Sequence, residues 1–291
     1  MRFWCSNTGE NWTWSWQPYW GAWIVVALLG FAYYRAGAFR PEHGKGRRIG
    51  IVVGLVLLLA GIDWPLATLG AGYLITAQMV RQIIIVMIAC PLLLWAAPPA
   101  AGRALVATER RKVIYRVVSS PKFTLPVALG MLIAVTAPVV VDRLITSQIG
   151  SFLMDVIWIG AGILIWLPVQ PPRPLRARVQ GPPQVVYLII VSVVPLPIAF
   201  FMSWSPFPIF AEYELAPRIW DGLSAANDQE LGAAIFQVVG GLVIWAQIAV
   251  RFIKMSREGN ETPKFRGKLV PSQPEGVTAA VGAPRPEEGS P

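Results

Sequence analysis

Histidine is almost missing from this chain: His43 is the only one among 291 residues. Charge is scarce as well. Asp, Glu, Lys and Arg make up 14% of the residues and hydrophobic types 55%, where a soluble domain carries about 25% charged residues. A shortage of this size, spread over several long apolar runs, excludes an ordinary water-soluble domain and implies an integral membrane protein. Cysteine is limited to Cys5 and Cys90, and Cys90 lies within an apolar run, so no disulfide framework is expected. There is no HExxH, no phosphate-binding glycine loop and no Ser/His/Asp set, which leaves enzyme readings without support. No removable signal peptide is expected either, because the Trp-rich, polar N-terminus lacks a charged region leading into a short apolar core.

What is present is a series of apolar runs near 19–35, 48–67, 73–97, 123–141, 149–169, 184–204 and 232–254, against the ~20 residues a helix needs to cross a bilayer. The expected fold is therefore all-α, a polytopic bundle of seven transmembrane helices over 19–254. A periplasmic Trp-rich segment (1–18) precedes it and a disordered cytoplasmic tail (255–291), rich in Pro, Gly, Glu and Lys, follows it. Of the 25 basic residues, 21 fall from Arg251 onward or in the loops after runs 1, 3 and 5. By the positive-inside rule these face the cytoplasm, with the N-terminus outside and the C-terminus inside, in a bacterial inner membrane. That distribution also turns the net charge of +9 toward membrane lipid and away from nucleic acid as a partner. Trp12, Trp14, Trp16, Trp20 and Trp23 read as an aromatic belt at the outer interface.

The third run begins YLITAQMVRQ, and Gln78, Arg81 and Gln82 share roughly one helical face. The other unusual polar residues are expected on the same outer side: Asp63, Asp142, Gln148, Ser151 and Asp155, and a loop before run 7 that carries Glu212, Glu214, Asp221, Asp228, Gln229 and Glu230. An ionisable group within a span is costly and faces the bundle interior with a partner. Arg81 and Asp155 are the obvious pair. These residues predict one polar site opening outward. The bland alternative is that they only bind helices together. A proton path needs carboxylates or histidines through both halves of the bundle, and the cytoplasmic halves hold almost none.

In this order and these runs, the motifs resemble the polytopic CtaG family of cytochrome c oxidase assembly proteins. The matching residues are Gln78-Met79-Val80-Arg81-Gln82, then Pro91-Leu92-Leu93 and Pro98; Thr136-Ala137-Pro138 and Asp142; Ser151 and Asp155 with Trp166 and Pro168; and Asp228-Gln229-Glu230-Leu231-Gly232 with Trp245. The resemblance covers about residues 50–250. It implies a seven-span, non-enzymatic protein that works with oxidase subunits and is implicated in copper insertion. Where the family keeps histidines, this chain has Gln78, Gln82, Thr136, Ser151 and Asp155, with Arg81 among them. Two imidazoles at i, i+4 can chelate a transition metal, whereas glutamine amides cannot replace them and a guanidinium repels a cation. No cofactor is expected, and the reading is a degenerate metal site on a scaffold or docking protein. Met79, Met154 and Met202 are the remaining copper(I) candidates, through thioether sulfur. The alternatives are a small-solute or ion transporter, and a permanent structural subunit of a respiratory complex.

Overall fold

The computed structural model describes residues 2–260, and every regular element among them is helical. In chain order these are α1 (Trp20–Arg35), α2 (Lys45–Ile62), α3 (Leu66–Gly72), α4 (Ile75–Gln82) and α5 (Cys90–Ala96), then α6 (Pro99–Leu105), α7 (Glu109–Val118), α8 (Pro121–Thr136), α9 (Pro138–Ile145) and α10 (Gln148–Trp166). The remainder are α11 (Pro182–Val193), α12 (Leu196–Trp204), α13 (Ala211–Leu215), α14 (Ala225–Ile235) and α15 (Gly241–Asn260). Five helical stretches are long and apolar enough to cross a membrane: Lys45–Gly72, Ile75–Ala96, Gln148–Trp166, Pro182–Trp204 and Ala225–Arg257. A sixth appears if α7 and α8, bent by 66° at their junction, are taken as one. At 16 residues, α1 is about 24 Å long, less than the ~30 Å of a bilayer core. The fourth run is cut at Ala137, because Pro138 forces the residue before it out of the helical region (ψ 132°).

Ile75–Ala96 is the central stretch, with 67% of its apolar window buried against 22% for Ala225–Arg257. It packs between α2 on one side and α10 on the other, and Gly162 of α10 makes the second approach possible. A Cβ there would lie 2.7 Å from the Cys90 sulfur. Between α4 and α5 the helix widens into a π-helical segment, Ile83–Ala89. Pro91 offers no N–H to the carbonyls one turn back and its ring crowds them. The Val86 carbonyl is met instead by Trp166 Nε1 (2.9 Å), and Gln170 Nε2 caps the Pro91 carbonyl (2.7 Å). A second π segment, Phe236–Gly240, joins α14 to α15 and packs against the first.

Loops sort to two ends. At one end, His43 donates from Nε2 to the Ala96 carbonyl (2.7 Å), Arg47 to the Trp95 carbonyl (2.6 Å) and Arg178 to Ser119 Oγ (3.3 Å). The basic loops after runs 1, 3 and 5 therefore meet, and the lone histidine serves as a helix cap. At the other end lie residues 2–18 and the loops around 63–74, 137–148 and 205–224. Two boundaries differ from expectation. The last long helix begins at Ala225, so Asp228, Gln229 and Glu230 are helical rather than in a loop, because Ser224 Oγ accepts from Asn227 N (3.2 Å) and caps the helix earlier. It also continues through Asn260, so residues 255–260 are helix rather than disordered tail. Residues 261–291 lie outside the described residues.

Candidate functional site

Arg81 is the largest charged side chain in the core, 1% exposed. Its guanidinium is met on every edge. Nε donates to the Gly61 carbonyl at the end of α2 (2.7 Å), and Nη1 donates to Gln78 Oε1, one turn back (2.8 Å). Nη2 lies 2.8 Å from both carboxylate oxygens of Asp155. The Trp158 ring, one turn beyond Asp155, faces the cation with its centre 5.4 Å away, a cation–π distance. Gln78 completes the row by donating from Nε2 to Met154 Sδ (3.4 Å). Gly70 leaves the space this requires: a Cβ there would fall 2.7 Å from Arg81 Cδ and 2.9 Å from Gln78 Oε1.

The site does not open outward, contrary to expectation. The N-terminal segment closes it. Trp4 Nε1 donates to Asp155 Oδ2 (2.8 Å), and the Cys5 sulfur sits 3.9 Å from Arg81 Nη2. The segment is held by its own bonds: Phe3 N and Trp4 N donate to Gln148 Oε1 (2.9 and 3.3 Å), and Asn7 N to the Ile145 carbonyl (2.7 Å). Asn7 Nδ2 reaches Glu212 (2.8 Å), while the Trp4 ring packs edge-on to Phe152, 4.9 Å between centres. The reason is chemical: an ion pair in an apolar core loses its hydration, and Trp4 supplies the indole N–H that takes the place of a water. Burial pushes the Cys5 thiol up to about 12, so it is neutral at physiological pH. The belt expected from the other tryptophans has exposed rings at Trp14, Trp16, Trp20 and Trp23.

The remaining polar residues are divided. Gln82 and Ser151 are buried one helical turn from Gln78 and Asp155, and among the described residues Gln82 Oε1, Ser151 Oγ and Trp158 Nε1 have no hydrogen-bond partner. Asp142, Asp228 and Gln229 do not join Arg81; each holds backbone. Asp142 accepts from Ala211 N and Glu212 N at the start of α13 (3.1 and 3.2 Å). Asp228 accepts from Ile75 N and Thr76 N at the start of α4 (2.6 and 3.2 Å), where the free N–H groups favour a carboxylate. Gln229 bridges Ile209 N and the Met202 carbonyl (2.7 and 2.9 Å). Asp63, another buried carboxylate, is taken by Tyr19 N and Trp23 Nε1 (2.9 and 2.8 Å).

Among the described residues no three His, Cys, Asp or Glu side chains gather into a cage, and the amides of Gln78 are engaged by Arg81 and Met154. Met79 and Met202 line one small cavity of about 30 Å³ with Gln82 and Thr136, while Met154 accepts from Gln78. Sequence reasoning missed Trp4, and gave Cys5 no place beside Arg81. Their signal was weak: a short Phe-Trp-Cys string with no periodicity.

Fold and site together define a class: a multi-pass, all-helical membrane protein whose core encloses a capped Arg–Asp pair. Within that class the chain belongs to the cytochrome c oxidase caa3 assembly factor family (Caa3_CtaG), whose model matches residues 25–258. The match includes Arg81 and Asp155 and begins after the capping segment. No curated protein and no solved structure matches the chain.

Proposed function

We propose that this protein is a non-enzymatic scaffold for assembly of a copper-containing cytochrome c oxidase, with a former metal site converted to a hydrogen-bonded ion pair. It crosses a bacterial inner membrane seven times, with the N-terminal segment periplasmic and the C-terminus cytoplasmic. The family membership supports the assembly role. The clustering of the basic loops at one end of the bundle supports the orientation. The observation that carries the converted-site reading is the bond set of Arg81. Its guanidinium bonds to Gln78 and Asp155, two of the positions at which the resemblance to the family implies histidines. A fixed cation there repels copper, and the neighbouring amide is already spent. Copper, if it passes through this system, is cargo handled by a partner, and the pair's work is to hold α4 against α10 under the N-terminal cap.

The test is affinity purification of the full chain during oxidase biogenesis. Unassembled oxidase subunits should co-purify substoichiometrically, and cells lacking the protein should accumulate less mature oxidase. Copper in the purified chain should not exceed that of an unrelated membrane protein. Stoichiometric retention in the mature enzyme would make it a permanent subunit, and stoichiometric copper after dialysis would overturn the converted-site reading.

A further inference from the structure

At the end of the bundle with the basic loops, four arginines converge on one hollow of about 280 Å³. Arg40 comes from the link between α1 and α2, Arg47 from the first turn of α2, Arg103 from α6 and Arg173 from the loop after α10. Arg47 is held in place: Nη1 donates to the Trp95 carbonyl (2.6 Å), and the guanidinium lies 5.1 Å from the Trp95 ring centre. The Arg173 charge repels it. Two glycines set the neighbouring chain. Gly37 (φ 82°) lets the Arg40 side chain fold across it, with Cδ 3.3 Å from where a Cβ would stand. At Gly102 a Cβ would collide with the Arg173 carbonyl, so the Arg173 loop rests directly on α6. Glu42 is the carboxylate among the described residues that line the hollow, and no ion pair joins it to an arginine among them.

We propose that this hollow binds a phosphate-bearing anion, with the phosphate oxygens among the four guanidinium groups. The positive-inside rule accounts for basic residues on one side of a membrane. It does not require that arginines far apart in sequence surround one hollow. Like charges brought together in this way repel, and an anion between them turns that repulsion into attraction. Four arginines against one glutamate leave the hollow positive, and the arginine fork matches phosphate oxygens in pairs. The anion is a soluble phosphate compound or the headgroup of an anionic phospholipid. Trp95, 41% exposed beside Arg47, is the residue type that marks headgroup level, which brings the second source within reach.

Delipidated full-length protein in a neutral detergent is titrated calorimetrically with inorganic pyrophosphate at constant ionic strength. In a second arm it meets phosphatidylglycerol or phosphatidylcholine of the same chains, and bound lipid is counted by native mass spectrometry. Saturable binding of one pyrophosphate per chain assigns a soluble phosphate compound, and a preference for phosphatidylglycerol without it assigns the headgroup. Arg40→Gln with Arg173→Gln, which spares the Arg47–Trp95 contact, should weaken whichever binding is seen about thirtyfold, the factor two interfacial cations carry. Glu42→Gln removes the opposing charge and should tighten it about fivefold; it decides the question if the double variant does not fold. Absence of pyrophosphate binding together with equal binding of the two lipids would overturn the proposal. So would a double variant that binds as wild type, or no gain from Glu42→Gln.

Discussion

Replacing Arg81 by leucine leaves Asp155 as a carboxylate with a single donor, Trp4 Nε1, in a core from which water is excluded. It also strips the donor from the Gly61 carbonyl and from Gln78 Oε1. Breaking a buried pair from one side costs roughly 3–5 kcal/mol, and each stranded acceptor adds about 1–3 kcal/mol. The sum approaches the whole stability of an ordinary domain, ~5–15 kcal/mol, so folded yield should fall sharply. Asp155→Leu strands the guanidinium and the Trp4 N–H by the same reasoning. With both replaced, no charge remains, and only neutral groups are left unpaired. The double variant should therefore be milder than the sum of the singles by about 3 kcal/mol. Unfolding in mixed micelles, read as a double-mutant cycle, measures this coupling. A value below about 0.5 kcal/mol would mean that the two residues act independently and would refute the ion-pair argument.

Gly70→Ala pushes a methyl into Arg81 Cδ and Gln78 Oε1, and should lower stability by about 1–3 kcal/mol; an unchanged melting temperature would show that the site has slack. The Cys5 thiol, raised to about 12 by burial, stays protonated at pH 8. In a Cys90→Ala background it should resist maleimide until the chain is unfolded, and rapid labelling of native protein would mean that the cap opens. Reporter fusions after Ser203 and after Lys254 should read periplasm and cytoplasm respectively, and a reversed result at either would break the seven-span topology.

Membrane character was legible in the sequence because hydrophobic runs and missing charge are bulk properties that survive any tertiary arrangement. The Arg81–Asp155 contact was legible for a related reason. A buried cation in a bundle must find a carboxylate, and few carboxylates stood in or beside the runs. The roles of Asp142, Asp228 and Gln229 were not, since each pairs with backbone, and backbone N–H groups are the same at nearly every residue and leave no trace in composition. Sequence placed Asp228 in a loop at an outward site, where the tertiary structure makes it a cap on α4. Closure of the site was also decided only in three dimensions. Trp4 is some 150 residues from Asp155 along the chain, and nothing periodic marks residues 2–8. An ion pair stripped of water needs a donor in place of hydration, and only the folded chain determines which segment is near enough to supply it.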